Sequence, residues 1–391
     1  MQNEILLPTA VAVRVDDVGW FEGADDRYRD RPARSGLPRR HVPDDFRVLH
    51  EIGKGLGTKI LCNLVLGDWD IKNRLRGVPN LTWDEAGWNA AKTVNANRAF
   101  FEESLDVLES SEHLEYGLHS LEHAYFIDGK HIDGCHFFPL RLKNERGEPA
   151  REAISPEELD RIFSLFFEIY HDWGFKKPIK VFAAPCGARG KPTDDCNRAL
   201  ARAMRRHGIG VWQWGGWPGE AIVEDMIFLR SALGFLTWNA YGIDPAYFPN
   251  VFLDARNRGF TPNFIAHLTN FIQFQPEKNF DYVPAWIDYL RRITSPFGAL
   301  IGRDNEQSAS QAVYTTYAAL DRVDGGYRID LAPVDAVRNE VVEDEFFVSL
   351  REKRIPRAVS GGSITLHESR PDHVIYKVAR ADRTDAVTIL F

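Results

Sequence analysis

Cysteine is scarce in this chain: Cys62, Cys135, Cys186 and Cys196 are all there is in 391 residues, and no CxxC pair occurs among them. A dense disulfide framework is excluded, and a reducing compartment is the simpler setting. Cys186 and Cys196 could form a bridge. No run of about 18 apolar residues is present, so no membrane span is expected. The opening residues Met1-Gln2-Asn3-Glu4 carry no basic cluster, and the apolar stretch after them soon meets Arg14 and Asp16. That is not a secretory signal, and with Met1 as the start the expected location is cytoplasmic. Positive charge is not in excess either: 48 basic against 56 acidic residues give a net charge of −8, unlike a general nucleic-acid binder. No internal repeat or low-complexity tract stands out.

What is there is a globular composition, 44% apolar and 27% charged. The length exceeds that of one ordinary domain and predicts a large domain followed by a small one. Aromatic residues reach 12%, with ten tryptophans, whose faces either pack a core or stack on sugars.

Residues 9–15 are a Val- and Ala-rich run that reads as a buried strand, with Asp16 and Asp17 at its C-terminal end, where α/β folds place their chemistry. Residues 21–50, charged and carrying Pro32, Pro38 and Pro43, read as a surface excursion. Further strands are expected at 58–66, 114–118, 178–184, 209–212, near 226–238 and at 263–267. Helices are expected at 91–110, from Ser155 to about Trp173, at 197–206 and at 282–293. Ser155, Pro156 and Glu158 form a start signal, with Ser as N-cap and Glu158 at the capping-box position. Residues 67–90 and 126–154 read as irregular. Alternating strands and helices from 9 to about 293 predict a parallel sheet or an (α/β) barrel. Beyond Gly298 the pattern shifts to short alternating stretches such as Ser363–His367 and His373–Val378, a β-rich appendage.

The chemistry sits in two places. An isolated Asp-Asp is usually a solvated turn, but two acids at a buried strand's exit repel each other unless a cation compensates them. His119 and His123 are four residues apart, which puts both rings on one helix face or converges them from a tight loop. One carboxylate and two imidazoles can hold a divalent metal and leave a position for water. His267, at the end of another apolar run, is placed to act as a general acid. Trp212 continues a strand and reads as core. Trp214 and Trp217, flanked by glycines and Pro218, are candidates for a sugar-stacking rim.

The order strand-Asp-Asp-x-Gly, His119-Ser120-x-x-His123, Phe182-x-x-Pro185-x-Gly187 and apolar-x-His267 resembles the polysaccharide deacetylases of the NodB-homology type, carbohydrate esterase family 4, over residues 9–293. The resemblance implies a distorted (β/α) barrel, which would occupy 1–298 with insertions near 21–50, 67–90 and 126–154, and the β-rich stretch over 299–391 reads as a separate small unit. It implies Asp16 as general base, Asp17, His119 and His123 as metal ligands, His267 as general acid and the Cys186 N–H as an oxyanion donor. The metal it implies is zinc, with iron, cobalt or nickel also compatible with the ligand set. The implied reaction is hydrolysis of an N-acyl, chiefly N-acetyl, group from a sugar or a sugar-containing intermediate of surface-polysaccharide assembly. A metal-dependent amidase on a small non-sugar substrate and a retired carbohydrate-binding scaffold stand as rivals. Whether the chain forms a homo-oligomer is left open. Two positions depart from the pattern. The arginine usual before the third motif is Ala183, for which Arg14 or Arg189 is the substitute, and the proline usual after the second histidine is Ala124.

Overall fold

A computed structural model describes residues 4–23, 35–78, 89–122, 124–127, 130–133, 142–143, 149–150, 155–185, 193–214, 221–230, 241–245, 263–351, 355–382 and 384–391. The strands of the N-terminal two-thirds are β1 (Ile5–Leu6), β2 (Thr9–Val18), β3 (Ile60–Val65), β4 (Leu114–Ser120), β5 (Ala124–Ile127), β6 (Lys130–Asp133), β7 (Leu142–Lys143), β8 (Pro149–Ala150), β9 (Ile179–Ala183), β10 (Val211–Trp214), β11 (Ala221–Val223), β12 (Met226–Arg230) and β13 (Asn263–His267). The helices are α1 (Pro43–Leu56), α2 (Ala90–Ala96), α3 (Arg98–Ser110), α4 (Pro156–Asp172), α5 (Asp195–Arg206), α6 (Leu268–Phe271), α7 (Val283–Ile293), α8 (Asn305–Tyr317) and the short α9 (Ala332–Asp335). After α7 come β14 (Ala299–Ile301), β15 (Ala319–Val323), β16 (Gly326–Asp330), β17 (Glu345–Arg351), β18 (Ala358–Ser360), β19 (Gly362–Ser369), β20 (His373–Arg380) and β21 (Ala386–Leu390).

The fold is mixed α/β. Its main sheet runs β11-β12-β10-β9-β4-β3-β2-β13, parallel throughout except where β11 pairs antiparallel to β12. β14 also pairs with β2, along Thr9–Val11. The sheet is strongly curled. Gln213 on β10 and Asn263 on β13 hydrogen-bond side chain to side chain at 2.7 Å. Five strand spacings separate those strands in the sheet order, roughly 24 Å if the sheet were flat. Among the described residues no pairing joins β11 or β12 to β13, so no closed barrel is present there.

Alternation along each strand divides the chemistry between two faces. The convex face carries Val13, Val15, Cys62, Tyr116, Phe182 and Trp212, packed in one core with α1, α3, α4, α5 and α7. The concave face carries Leu61, Val181 and Val211 near the strand starts, packed with α8 and the C-terminal strands. Farther along the strands it turns polar. The C-terminal strands form two antiparallel sheets, β1-β17-β20-β19 and β15-β16-β21-β18, so an N-terminal strand is part of the first.

Several expectations need correction. The excursion at 21–50 contains the start of α1, whose Pro43 occupies the first turn and whose Phe46, Leu49 and Ile52 are buried. The helix expected over 91–110 is two, broken at Asn97. Residues 126–154 hold parts of two antiparallel pairs, β5/β6 and β7/β8. The Ser155 hydroxyl accepts from the Glu158 N–H as expected, but the Glu158 carboxylate pairs with Arg161. Cys196 is a free thiol, which removes the Cys186–Cys196 bridge. No described helix is long and apolar enough to cross a membrane.

Candidate active site

Asp16, Asp17, His119 and His267 meet at the C-terminal end of the concave face, and all four are buried. His267 stands opposite Asp16 in the β13/β2 register. The strand β2 does not end before the two acids, as the sequence suggests, but runs through them to Val18. It bulges there: Val15 pairs with Cys62 and Val18 with Leu64, three steps on β2 against two on β3. Asp17 takes up the extra residue in the left-handed region, φ +65°, which aspartate tolerates better than most residues. Such a bulge re-aims side chains that plain alternation would send to opposite faces. A second bulge falls at His119, between the pairs Leu64–Leu118 and Val65–Ser120. His119 therefore lies on a strand, not on a helix or in a tight loop as its spacing suggested.

Arg14 closes a two-point ion pair with Asp16, Nε to Oδ1 at 2.7 Å and Nη2 to Oδ2 at 2.6 Å. Asn63 donates from Nδ2 to Asp16 Oδ1 at 2.7 Å. Burial alone would push the Asp16 carboxyl up. The Arg14 guanidinium, with His119 and His267 nearby, more than offsets that and holds it below the usual carboxylate range. Asp16 is thus ionised at neutral pH. Of the two substitutes expected for the missing arginine, Arg14 is the one seen on Asp16, reaching it from two residues upstream. Arg189 lies outside the described residues. Asn63 fits because position 117 is glycine, where a Cβ would overlap Asn63 Oδ1.

The His119 ring is fixed by its far nitrogen. Its Nδ1 lies 2.6 Å from the Ala183 carbonyl oxygen, which can only accept, so Nδ1 carries a proton. Its Nε2 faces Asp17 Oδ1 at 3.3 Å. His267 Nε2 stands 3.9 Å from the other oxygen, Asp17 Oδ2. One carboxylate is bracketed by two imidazoles, with an ionised second carboxylate beside it. Ala183, where an arginine was expected, contributes its backbone carbonyl to this arrangement.

Asp17 and His119 have the donor chemistry of a zinc site, including the carbonyl that orients a ligating imidazole. Among the described residues no group of three His, Cys, Asp or Glu side chains forms a metal site. The third expected ligand, His123, lies outside the described residues, as do Cys186 and Trp217. Trp214 ends β10, and its side chain is not described. Sequence reasoning missed Asn63 and its partner Gly117 as site residues. The one signal was a polar residue inside the apolar run of β3.

No protein-family model matches the chain, and no curated protein does. Among solved structures it is similar to the α-amylase AmyC from Thermotoga maritima, at 6% identity and a TM-score of 0.27 over 57% of this chain. The chain spans 46% of that enzyme's length. A likeness of this size says nothing of fold or activity.

Proposed function

We propose that the chain is a metal-dependent hydrolase that removes an N-acyl group, N-acetyl above all, from a sugar or a sugar-containing intermediate. The observation that carries this reading is the Arg14-locked, ionised Asp16 beside an Asp17 faced by His119 and His267. Asp17 and His119, together with His123, would hold a divalent cation such as zinc, which supplies Lewis acidity at the scissile carbonyl and makes water more acidic.

The chain's own groups divide the remaining work. Asp16, with both oxygens engaged by Arg14 and Asn63, accepts the proton of the attacking water. Burial excludes bulk water from the pair and strengthens the field between its charges. His267, on the opposite side of Asp17, gives a proton to the departing amine. The Cys186 N–H remains the proposed oxyanion donor, a role worth about 3–4 kcal/mol in comparable sites.

Acetate release from a panel of N-acetylhexosamine derivatives by zinc-loaded protein tests the reading. Release by the native chain, abolished in Asp16→Asn with metal retained, supports it. Metal binding with no release from any sugar in the panel refutes the sugar assignment.

A further inference from the structure

Outside the site, a second set of chemical side chains is held in close order at the start of α1. Ser35 Oγ lies 2.8 Å from His41 Nε2, and His41 Nδ1 lies 3.0 Å from Asp45 Oδ2. That is the connectivity of a nucleophilic serine, histidine and aspartate. Ser35 is only 1% exposed, however, and its hydroxyl also reaches the Gly23 carbonyl and the Leu37 N–H. A sealed hydroxyl with no access for substrate does not make a nucleophile.

The arrangement has another use, visible in what else Asp45 holds. Its carboxylate accepts from both Arg39 terminal nitrogens at 2.9 and 2.7 Å, from the Val42 N–H at 3.1 Å and from Asn279 Nδ2 at 2.6 Å. The cationic and hydrogen-bonded partners outweigh the cost of burial and bring its pKa down to about 2, so the charge persists. Through these partners Asp45 fixes the segment that follows His267. Asn279 Oδ1 accepts from the Gln273 N–H at 2.8 Å, and Arg39 Nη2 donates to the Gln273 carbonyl at 2.8 Å. Gln273 is held at both its backbone groups, two residues past the end of α6. That helix begins directly after His267, whose own N–H donates to Asn270 Oδ1 at 2.7 Å.

We propose that the Ser35–His41–Asp45 array is a latch that ties the segment 35–42 and the turn 273–279 to the start of α1, and that Asp45 is thereby a positioning residue for His267. This rests on the proposed function for the role of His267, though not for the latch itself. A mispositioned proton donor slows reactions whose leaving group needs a proton and spares those whose leaving group does not.

The test compares Asp45→Asn and Asn279→Ala in the full, zinc-loaded chain, on an N-acetylated amino sugar and on p-nitrophenyl acetate. Expected are unchanged zinc content, KM within about twofold and a kcat at least tenfold lower on the amide, with the ester rate within about twofold. Asn279→Ala, which keeps the Arg39 and His41 contacts, should show the same split at about threefold, and it carries the test if Asp45→Asn does not fold. Equal losses on amide and ester, or no loss on either, overturn the positioning role. Hydrogen exchange reads the latch without any activity. The Gln273 amide should exchange at least tenfold faster in both variants, with strand 9–18 unchanged. Unchanged exchange at Gln273 refutes the latch. Normal zinc-free latching in a chain that hydrolyses no substrate refutes the proposed function alone. Labelling of Ser35 by a fluorophosphonate would show an accessible nucleophile and overturn the latch reading.

Discussion

Arg14 and Asp16, two residues apart on one strand, close a two-point ion pair in which each side chain is only 5% exposed. A strand places residues i and i+2 on the same face, so the pair needs no second element to bring it together. The guanidinium donates to both carboxylate oxygens, which leaves Asp16 ionised and in one orientation.

Removing one partner should therefore cost far more than removing both. Arg14→Met leaves a buried carboxylate without its counter-charge and is expected to lower stability by about 3–5 kcal/mol. Arg14→Met combined with Asp16→Leu should recover most of that loss and restore no activity. Urea unfolding of the two variants checks this. A single variant within about 1 kcal/mol of the native chain would show that the pair does not hold the buried charge.

Gly117 is predicted to be indispensable for reasons of space alone. A methyl group there overlaps the Asn63 side chain and would push it off Asp16. Gly117→Ala should lower stability by about 1–3 kcal/mol, as overpacking does, and lower kcat at least tenfold. Adding Asn63→Ala should return the stability but not the turnover. Thermal unfolding and acetate release on the three proteins decide it.

The strand starts make a prediction about pH. Glu115 accepts from the Asn305 N–H at 2.7 Å. Burial, with Asp304 and Glu306 close by and only partly balanced by Lys59, pushes its carboxyl from 4.5 up to about 8. The folded chain then holds a proton that the unfolded chain releases. Its stabilising effect is complete below pH 4.5 and disappears as pH rises through about 8. Over that range this one group can contribute a fall of up to about 1.4 kcal/mol per pH unit. Glu115→Gln should flatten the slope by that contribution. An unchanged slope between the two proteins would refute the assignment.

The parts of this fold that were legible in the sequence are those in which periodicity and burial agree. β13 was read at its observed bounds, and α4 and α7 within a residue or two, because their apolar spacing and Ser155 cap signal are local facts. α1 was hidden by the charged, proline-bearing stretch that supplies its first turn. α8 was hidden differently: beside Ala309, Ala312 and Val313 it buries Asn305, Gln307, Ser308 and Gln311, which are held by hydrogen bonds and break up the apolar pattern along the sequence. The pairing of β1 with β17, about 340 residues apart, leaves no local trace. At the site, the identities of Asp16, Asp17, His119 and His267 were legible as chemistry at strand ends. The two bulges that aim Asp17 and His119 were not, since a bulge is a property of two strands in register. Ala183 shows the same limit, because it acts through a backbone carbonyl that its side chain does not announce.

The proposed function requires that Asp17 and His119 hold a metal while Asp16 beside them does not. Zinc analysis of the purified native chain, Asp16→Asn and His119→Ala, each loaded and then desalted, decides it. About one zinc ion per chain is expected in the first two proteins, and a loss of at least tenfold in the third. Zinc absent from the native chain, or equally present in His119→Ala, would contradict it.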